Sequence, residues 1–228
     1  MKQLQSLLHL FFPHICSGCG SDRVGHETCL CIRCMSRLPE TGFADMPGNP
    51  VERKFYGRLP IETAFALYYF SHGSLIQQLM HAFKYKGDRD LGFQLGCFMG
   101  HALLQSERID PAALVPLPLY PSKEKKRGYN QARVLCEGIA EVTGWPILDK
   151  AVVRNRHTDS QTHKGRVERW KNMEGNFSIK QEALLENRHL LLVDDVLTTG
   201  ATLEACGEVL LSAHGTRLSL ATLCYAWR

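Results

Sequence analysis

Two parts of the sequence hold residue types that can do chemistry. The first is HLLLVDDVLTTGATLEA at 189–205, where an apolar run delivers two adjacent carboxylates, Asp194 and Asp195. Thr198, Thr199, Gly200, Ala201 and Thr202 then lead into a helical pattern. Hydroxyls and unpaired backbone N–H groups at a helix start cradle phosphate, and the helix dipole adds to the attraction. Carboxylates repel phosphate, so Asp194 and Asp195 suit sugar hydroxyls or a hydrated divalent metal bridging to the ligand. The combination describes a ribose-phosphate site, since a plain helix cap needs only one such residue.

The second part is a cluster of cysteines. Five of the nine, Cys16, Cys19, Cys29, Cys31 and Cys34, fall within nineteen residues. Cys16-x2-Cys19 and Cys31-x2-Cys34 form two knuckles separated by eleven residues, a layout in which four thiolates converge tetrahedrally on zinc. Gly18 and Gly20 suit the tight first turn. The spacing points to structural zinc on Cys16, Cys19, Cys31 and Cys34, stabilising a segment too small to fold by burial alone. Cys29 can replace Cys31 in such a set, and His14 and His26 are within reach. Cys97, Cys136, Cys206 and Cys224 sit singly in apolar or helical patterns and read as packing residues.

These residues must be positioned by the rest of the chain. With 228 residues, 44% of them hydrophobic, the chain has material for one core and a small appendage, which excludes intrinsic disorder and collagen-like repeats. Three parts are expected: an N-terminal helix and zinc module at 1–38, a Pro- and Gly-rich linker at 39–60, and a main domain at 61–228. Strand patterns at 64–70, 113–117, 147–153, 189–193 and 216–223 alternate with helical patterns at 74–84, 91–104, 130–142 and 202–212. Alternation of this kind implies an α/β fold with a mostly parallel sheet flanked by helices, whose ligands bind beyond the carboxyl ends of the strands. Chemistry is then expected directly after Leu117, Val153 and Val193.

Leu7 to Phe12 is a short apolar run with only Lys2 ahead of it, His9 inside it and no small-residue cleavage site after it. Leu4, Leu7, Leu8 and Phe11 instead predict an amphipathic helix that packs on its own domain. No run approaches the ~18 apolar residues of a membrane helix, so a soluble, cytoplasmic protein without a membrane span is expected.

The strand, acid pair and TTGAT turn resemble the phosphoribosyl pyrophosphate signature of type I phosphoribosyltransferases. With HAFKYKGDRDLG (81–92), VPLPLYPSKEKKRGYNQA (115–132), RNRHTDSQTHKGRVERWKNMEGNF (154–177) and the paired cysteine knuckles, the chain closely resembles the ComF/GntX family over residues 13–225. That family is associated with natural competence and use of external DNA. The resemblance implies a type I phosphoribosyltransferase-like domain in which Asp194 and Asp195 contact ribose and Thr198 to Thr202 bind the 5′-phosphate. It also implies a pyrophosphate loop at 116–118 and a hood at 155–172.

The overall charge of +4 is too small to indicate a nucleic-acid partner by itself. Its placement says more: 122–133 and 154–171 together hold eleven basic residues against three acidic ones, so the remainder is net acidic. Arg127, Tyr129, Arg154, Arg156, Arg166 and Arg169 are candidates for hood or DNA contacts, and Tyr129, Trp170 and Phe177 for base stacking. Two classes of function fit these features. One is a DNA-utilization protein that handles single-stranded DNA, with a site for phosphoribosyl pyrophosphate or a related nucleotide and other DNA-uptake proteins as partners. The other is a phosphoribosyltransferase of nucleotide salvage or amine phosphoribosylation, using magnesium with phosphoribosyl pyrophosphate. No catalytic residue or acceptor is specified by the sequence.

Overall fold

A computed structural model describes residues 15–22, 24, 25, 28–155 and 176–227. The expected N-terminal helix, His14, His26, Arg156, Arg166, Arg169, Trp170 and most of the expected hood lie outside these residues.

The centre is a four-stranded sheet of β1 (Ala64–Phe70), β2 (Ala113–Pro116), β5 (His189–Leu197) and β6 (Arg217–Ala226), in the order β1-β6-β5-β2. Every neighbouring pair is parallel. The apolar runs follow from this: LLLV of β5 and LSLATLC of β6 are buried on both faces, as covered parallel strands require. The register puts Pro116 opposite Val193 and Asp194 opposite Thr222, so β2 ends one residue before the acid pair.

The helices that pack around the sheet include α3 (Leu75–Tyr85), α4 (Arg89–Gln105), α6 (Gln131–Thr143) and α7 (Ala201–Leu211). Ser74, Asp88 and Asn130 cap the first three, each side chain accepting from a backbone N–H of the first turn. α4 and α6 cross closely. A Cβ on Gly138 would lie 2.2 Å from the Phe93 carbonyl oxygen, and one on Gly96 2.4 Å from that of Leu135.

Two sequence expectations differ from the structure. The run 147–153 is not one strand. Ile147 bridges to Leu114 at the sheet edge, the chain then turns through Lys150 at φ 66°, and Val152–Arg154 forms β3. β3 pairs antiparallel with β4 (Phe177–Ile179) in a separate two-stranded sheet, so Val153 does not end a strand of the central one.

The segment 39–60 is packed. A short α1 (Ile32–Met35) precedes it, and it contains a 3-10 turn at Phe43–Asp45 and α2 (Pro50–Arg53). Phe43, Val51, Phe55 and Leu59 are buried in the core. Asn49, wholly buried, donates to the carbonyls of Phe43, Met46 and Ala64 and accepts from the N–H groups of Val51 and Glu52. Glu52 is buried too and is neutralised by Arg108 at 2.8 Å. The prolines and glycines that suggest a linker serve tight turns here, with Gly42, Gly48 and Gly57 all at positive φ.

Candidate functional site

β5 carries the acid pair to the carboxyl end of the sheet, and its alternation sends the two side chains to opposite faces. Asp195 is buried and accepts from the Lys84 ammonium of α3 at 2.8 Å. Asp194 accepts the backbone N–H of Asp195 at 2.8 Å and lies on the side of α7, where its charge raises the Cys206 thiol. Burial and the neighbouring Asp195 carboxylate push the Asp194 carboxyl up to about 7. Lys84 and Arg154 are the cations that temper this rise.

After Leu197 the chain turns at Thr198 and Thr199, and Gly200 opens α7 at φ 83°, a conformation that favours glycine. Thr198 and Thr199 are exposed. The turn and the start of α7 form a small open concavity bordered by Asp194, Thr198, Thr199, Gly200, Ala201 and Thr202; of the residues predicted for the phosphate and sugar, Asp195 is not among its borders and is held instead by Lys84. A helix start with solvent-facing hydroxyls can take phosphate.

The loop after β2 lies against the same rim, with the Leu117 N–H donating to the Val193 carbonyl at 2.9 Å. Basic α5 (Pro121–Arg127) follows and ends at Gly128. Beside it is a cleft of about 350 Å³ bordered by Pro118, Tyr129, Asn130, Arg133, Asp149 and Arg154. Tyr129 is half-buried, packs on Phe83 and donates its hydroxyl to the Phe83 carbonyl. Phe177 is buried. Both contribute to the packing of the fold, and Tyr129 also borders the cleft. Arg154 lies over the Tyr120 ring at 3.8 Å and near Phe177 at 5.1 Å; its buried Nε has no hydrogen-bond partner among the described residues. Arg127 donates to Gln131 and lies over the exposed Tyr85 ring.

The cysteine knuckles form a second site. The sulfurs of Cys16, Cys19, Cys31 and Cys34 all lie within 4.8 Å of one another. Cys19 and Cys31 are 3.7 Å apart, against the ~3.8 Å expected between thiolates tetrahedrally disposed at 2.3 Å from zinc. The donor set thus fits a metal ion such as zinc. Cys16, Cys31 and Cys34 are buried, and the Cys31 N–H donates to the Cys16 sulfur at 3.3 Å. Burial raises the Cys16 thiol, but the N–H groups of Cys31, Cys19 and Gly18 outweigh it and bring it down to about 6. Cys29 stands outside the set; burial, Asp88 and Asp90 push its thiol up to about 11. Burial likewise raises Cys97, Cys136, Cys206 and Cys224.

Sequence reasoning missed Lys84 and Arg58. Lys84 lies in HAFKYKGDRDLG, whose repeated lysines were the available signal, but its partner is 111 residues away. Arg58 comes from the segment read as a linker and donates to the Thr199 carbonyl at 3.3 Å and to Glu204 of α7.

Comparison with known proteins agrees with this geometry. A family model described as phosphoribosyl transferase domain matches residues 130–227. Competence protein F of Haemophilus influenzae is 28% identical over 213 residues, covering 92% of this chain and 81% of that protein. DNA utilization protein YhgH of Escherichia coli K12 is 26% identical over 153 residues, 65% of this chain and 66% of that one. Competence protein ComFC of Bacillus subtilis is 27% identical over 145 residues, 62% of this chain and 56% of its own length. The chain thus spans less than two thirds of the length of the last two. Residues 130–227 match a phosphoribosyl transferase domain, and the fold is of that kind, a parallel sheet flanked by helices. The chain is similar to these competence and DNA utilization proteins.

Proposed function

We propose that this chain supports the use of external DNA, handling single strands, and that it binds phosphoribosyl pyrophosphate or a related nucleotide at the carboxyl end of β5. The observation that carries the reading is the loop 198–202, opened by Gly200 at the start of α7 and bordered by Asp194. Thr198 to Thr202 hold the 5′-phosphate through backbone N–H groups and hydroxyls, and Asp194 with Asp195 faces the ribose. Magnesium, when bound with the ligand, offsets pyrophosphate charge. Zinc on Cys16, Cys19, Cys31 and Cys34 is structural, because all four ligands come from the chain. The relatives named for competence and DNA utilization support the biological role. Basic α5, beside the same rim, gives a strand somewhere to lie.

A transferase reading is favoured by the cleft beside the rim, which has room for a base-sized acceptor next to Arg154. The two readings separate in one set of measurements. Purified protein is titrated with phosphoribosyl pyrophosphate plus magnesium, then with single-stranded DNA, then with both in competition, while pyrophosphate release is followed with candidate acceptors. Binding of both ligands, lost for the nucleotide in Asp194→Asn/Asp195→Asn, supports the first reading, and pyrophosphate release supports the second. Failure of the wild-type protein to bind phosphoribosyl pyrophosphate sinks the nucleotide site in both.

A further inference from the structure

The phosphate loop does not rest on β5 and α7 alone. Residues 50–59, distant in sequence, form its floor. Phe55 is fully buried, and a Cβ on Gly200 would come within 3.0 Å of its ring. Leu59 meets α7 about two turns further on, where a Cβ on Gly207 would lie 2.6 Å from Leu59 Cδ2. Between them Arg58 spreads its guanidinium over three acceptors: the Thr199 carbonyl at 3.3 Å, the Lys54 carbonyl at 3.0 Å and the Glu204 carboxylate, which Arg58 Nε reaches at 3.1 Å. Glu204 stands in the first turn of α7, its backbone N–H bonded to the Gly200 carbonyl at 2.9 Å.

That carboxylate is in an unfavourable place for a phosphate loop. A negative charge in the first turn interacts well with the helix dipole but repels an anion arriving at the same N–H groups. Arg58 cancels it. The same guanidinium holds the Thr199 carbonyl, and the Thr199 hydroxyl in turn accepts from the Ala201 N–H at 3.4 Å, so one cation orders the turn at the start of α7. The planar fork spreads its donors over two backbone carbonyls and a carboxylate in fixed directions, which the compact ammonium of a lysine does not reproduce.

We infer that Arg58, seated on Phe55, is the positioning residue of the phosphate loop: it fixes the Thr199–Gly200 backbone and removes the repulsion of Glu204 toward a bound phosphate. The inference rests on the reading of 198–202 as a phosphate site and adds to it the element that prepares that site. It also gives the segment 39–60 a purpose beyond connecting the cysteine module to the sheet. The device needs no direct contact between Arg58 and ligand.

The test uses the full chain in four forms: wild type, Arg58→Ala, Arg58→Lys and Arg58→Ala/Glu204→Gln. Affinity is measured with phosphoribosyl pyrophosphate plus magnesium, and amide hydrogen exchange is followed at 199–203 without ligand. Arg58→Ala is expected to bind about tenfold more weakly, since it exposes an uncompensated charge beside the ligand. It should also exchange faster at 199–203. Arg58→Lys should recover part of the affinity while its loop still exchanges fast. Removing the Glu204 charge in the Arg58→Ala background should bring affinity back to within about threefold of wild type. A merely structural Arg58 would not show that rescue. Wild-type affinity in Arg58→Ala, or a double variant no tighter than Arg58→Ala, overturns the inference. Should wild type not bind the ligand, the phosphate-site reading falls, and unchanged exchange at 199–203 in Arg58→Ala would then independently remove the positioning role.

Discussion

Replacing Lys84 by Met keeps the length of the side chain and deletes its charge, leaving Asp195 without its 2.8 Å partner at the end of β5. The two side chains are 18% and 12% exposed, so the pair is mostly shielded from water. Two unit charges whose centres are ~4 Å apart attract by about 4 kcal/mol at an effective dielectric of ~20. Breaking a fully buried pair costs about 3–5 kcal/mol, because the remaining charge is stranded. Solvent reaching both groups reduces this to about 2–3 kcal/mol. Urea unfolding at pH 7 measures it comfortably against a total stability of about 5–15 kcal/mol. The decisive comparison adds Lys84→Met/Asp195→Asn, in which no charge is stranded; more than half of the loss should return. Salt should change the Lys84→Met penalty little, since the site is shielded. A loss below ~0.5 kcal/mol, the range of ordinary surface changes, or a double variant as unstable as the sum of its parts, would show that Lys84 does not hold Asp195 in place.

Asp194, whose folded pKa is raised to about 7, makes stability fall with pH. Above the usual carboxylate pKa of ~3.9 the unfolded chain ionises first, so stability is lost from there up to about pH 7 and is level beyond. Asp194→Asn should abolish this decline and be more stable than wild type at pH 8 by up to about 4 kcal/mol, measured by denaturant unfolding at pH 4.5 and 8; parallel pH profiles would refute it. Cys34→Ser should lower bound zinc well below one per chain and make proteolysis near α1 rapid, and a chelator should do the same to wild type; a chelator-resistant N-terminal segment would argue against the metal. Gly138→Ala drives a Cβ into the Phe93 carbonyl at 2.2 Å, where backbone cannot give way cheaply, and should cost about 3 kcal/mol in urea. A loss under ~1 kcal/mol would mean that α4 and α6 separate easily. Lys125→Ala/Lys126→Ala should reduce the salt dependence of single-strand binding by a logarithmic slope of about 1.4, whereas Arg133→Ala should leave that slope nearly unchanged. Equal slopes in wild type and the lysine variant would remove α5 from the strand path.

What could be read from the sequence divides along physical lines. Strands buried on both faces must be continuous apolar runs, and LLLV and LSLATLC therefore announced β5 and β6. The acid pair, the threonines and Gly200 are adjacent in sequence because one strand-to-helix turn carries them all, and the four sulfurs were legible because each knuckle is local. The brace at 39–60 was not. A four-residue helix has no periodicity to detect, and its burial rests on single residues such as Phe55 and on Asn49, a polar hub that no hydrophobic pattern reveals. β3 and β4 are three residues each, too short for alternation to separate them from the edge contact at Ile147.

Charge shows the same division. Counting basic residues along 122–133 pointed to the rim on which α5 lies, but a formal charge is available to a ligand only when no acid already holds it. Arg133 is paired with Glu137 at 3.2 Å and Asp149 at 2.7 Å, and Arg89, on the neighbouring helix, is paired with Glu137 at 2.7 Å. Lys125 and Lys126 are exposed on α5 and have no ion-pair partner among the described residues. An arginine that braces α6 against the turn after Ile147 and a lysine that projects from α5 contribute equally to a sequence count, yet only the lysine can release counterions from a bound strand. The phosphate loop obeys the same logic in reverse. Glu204, in the first turn of α7, and Asp195, at the end of β5 on the face away from the loop, would both repel an anion if counted formally, and each is instead held by a cation from a distant part of the chain, Arg58 and Lys84. The field at 198–202 is therefore set by pairs separated by more than a hundred residues, which is why the loop could be found from sequence while the groups that make it fit for an anion could not.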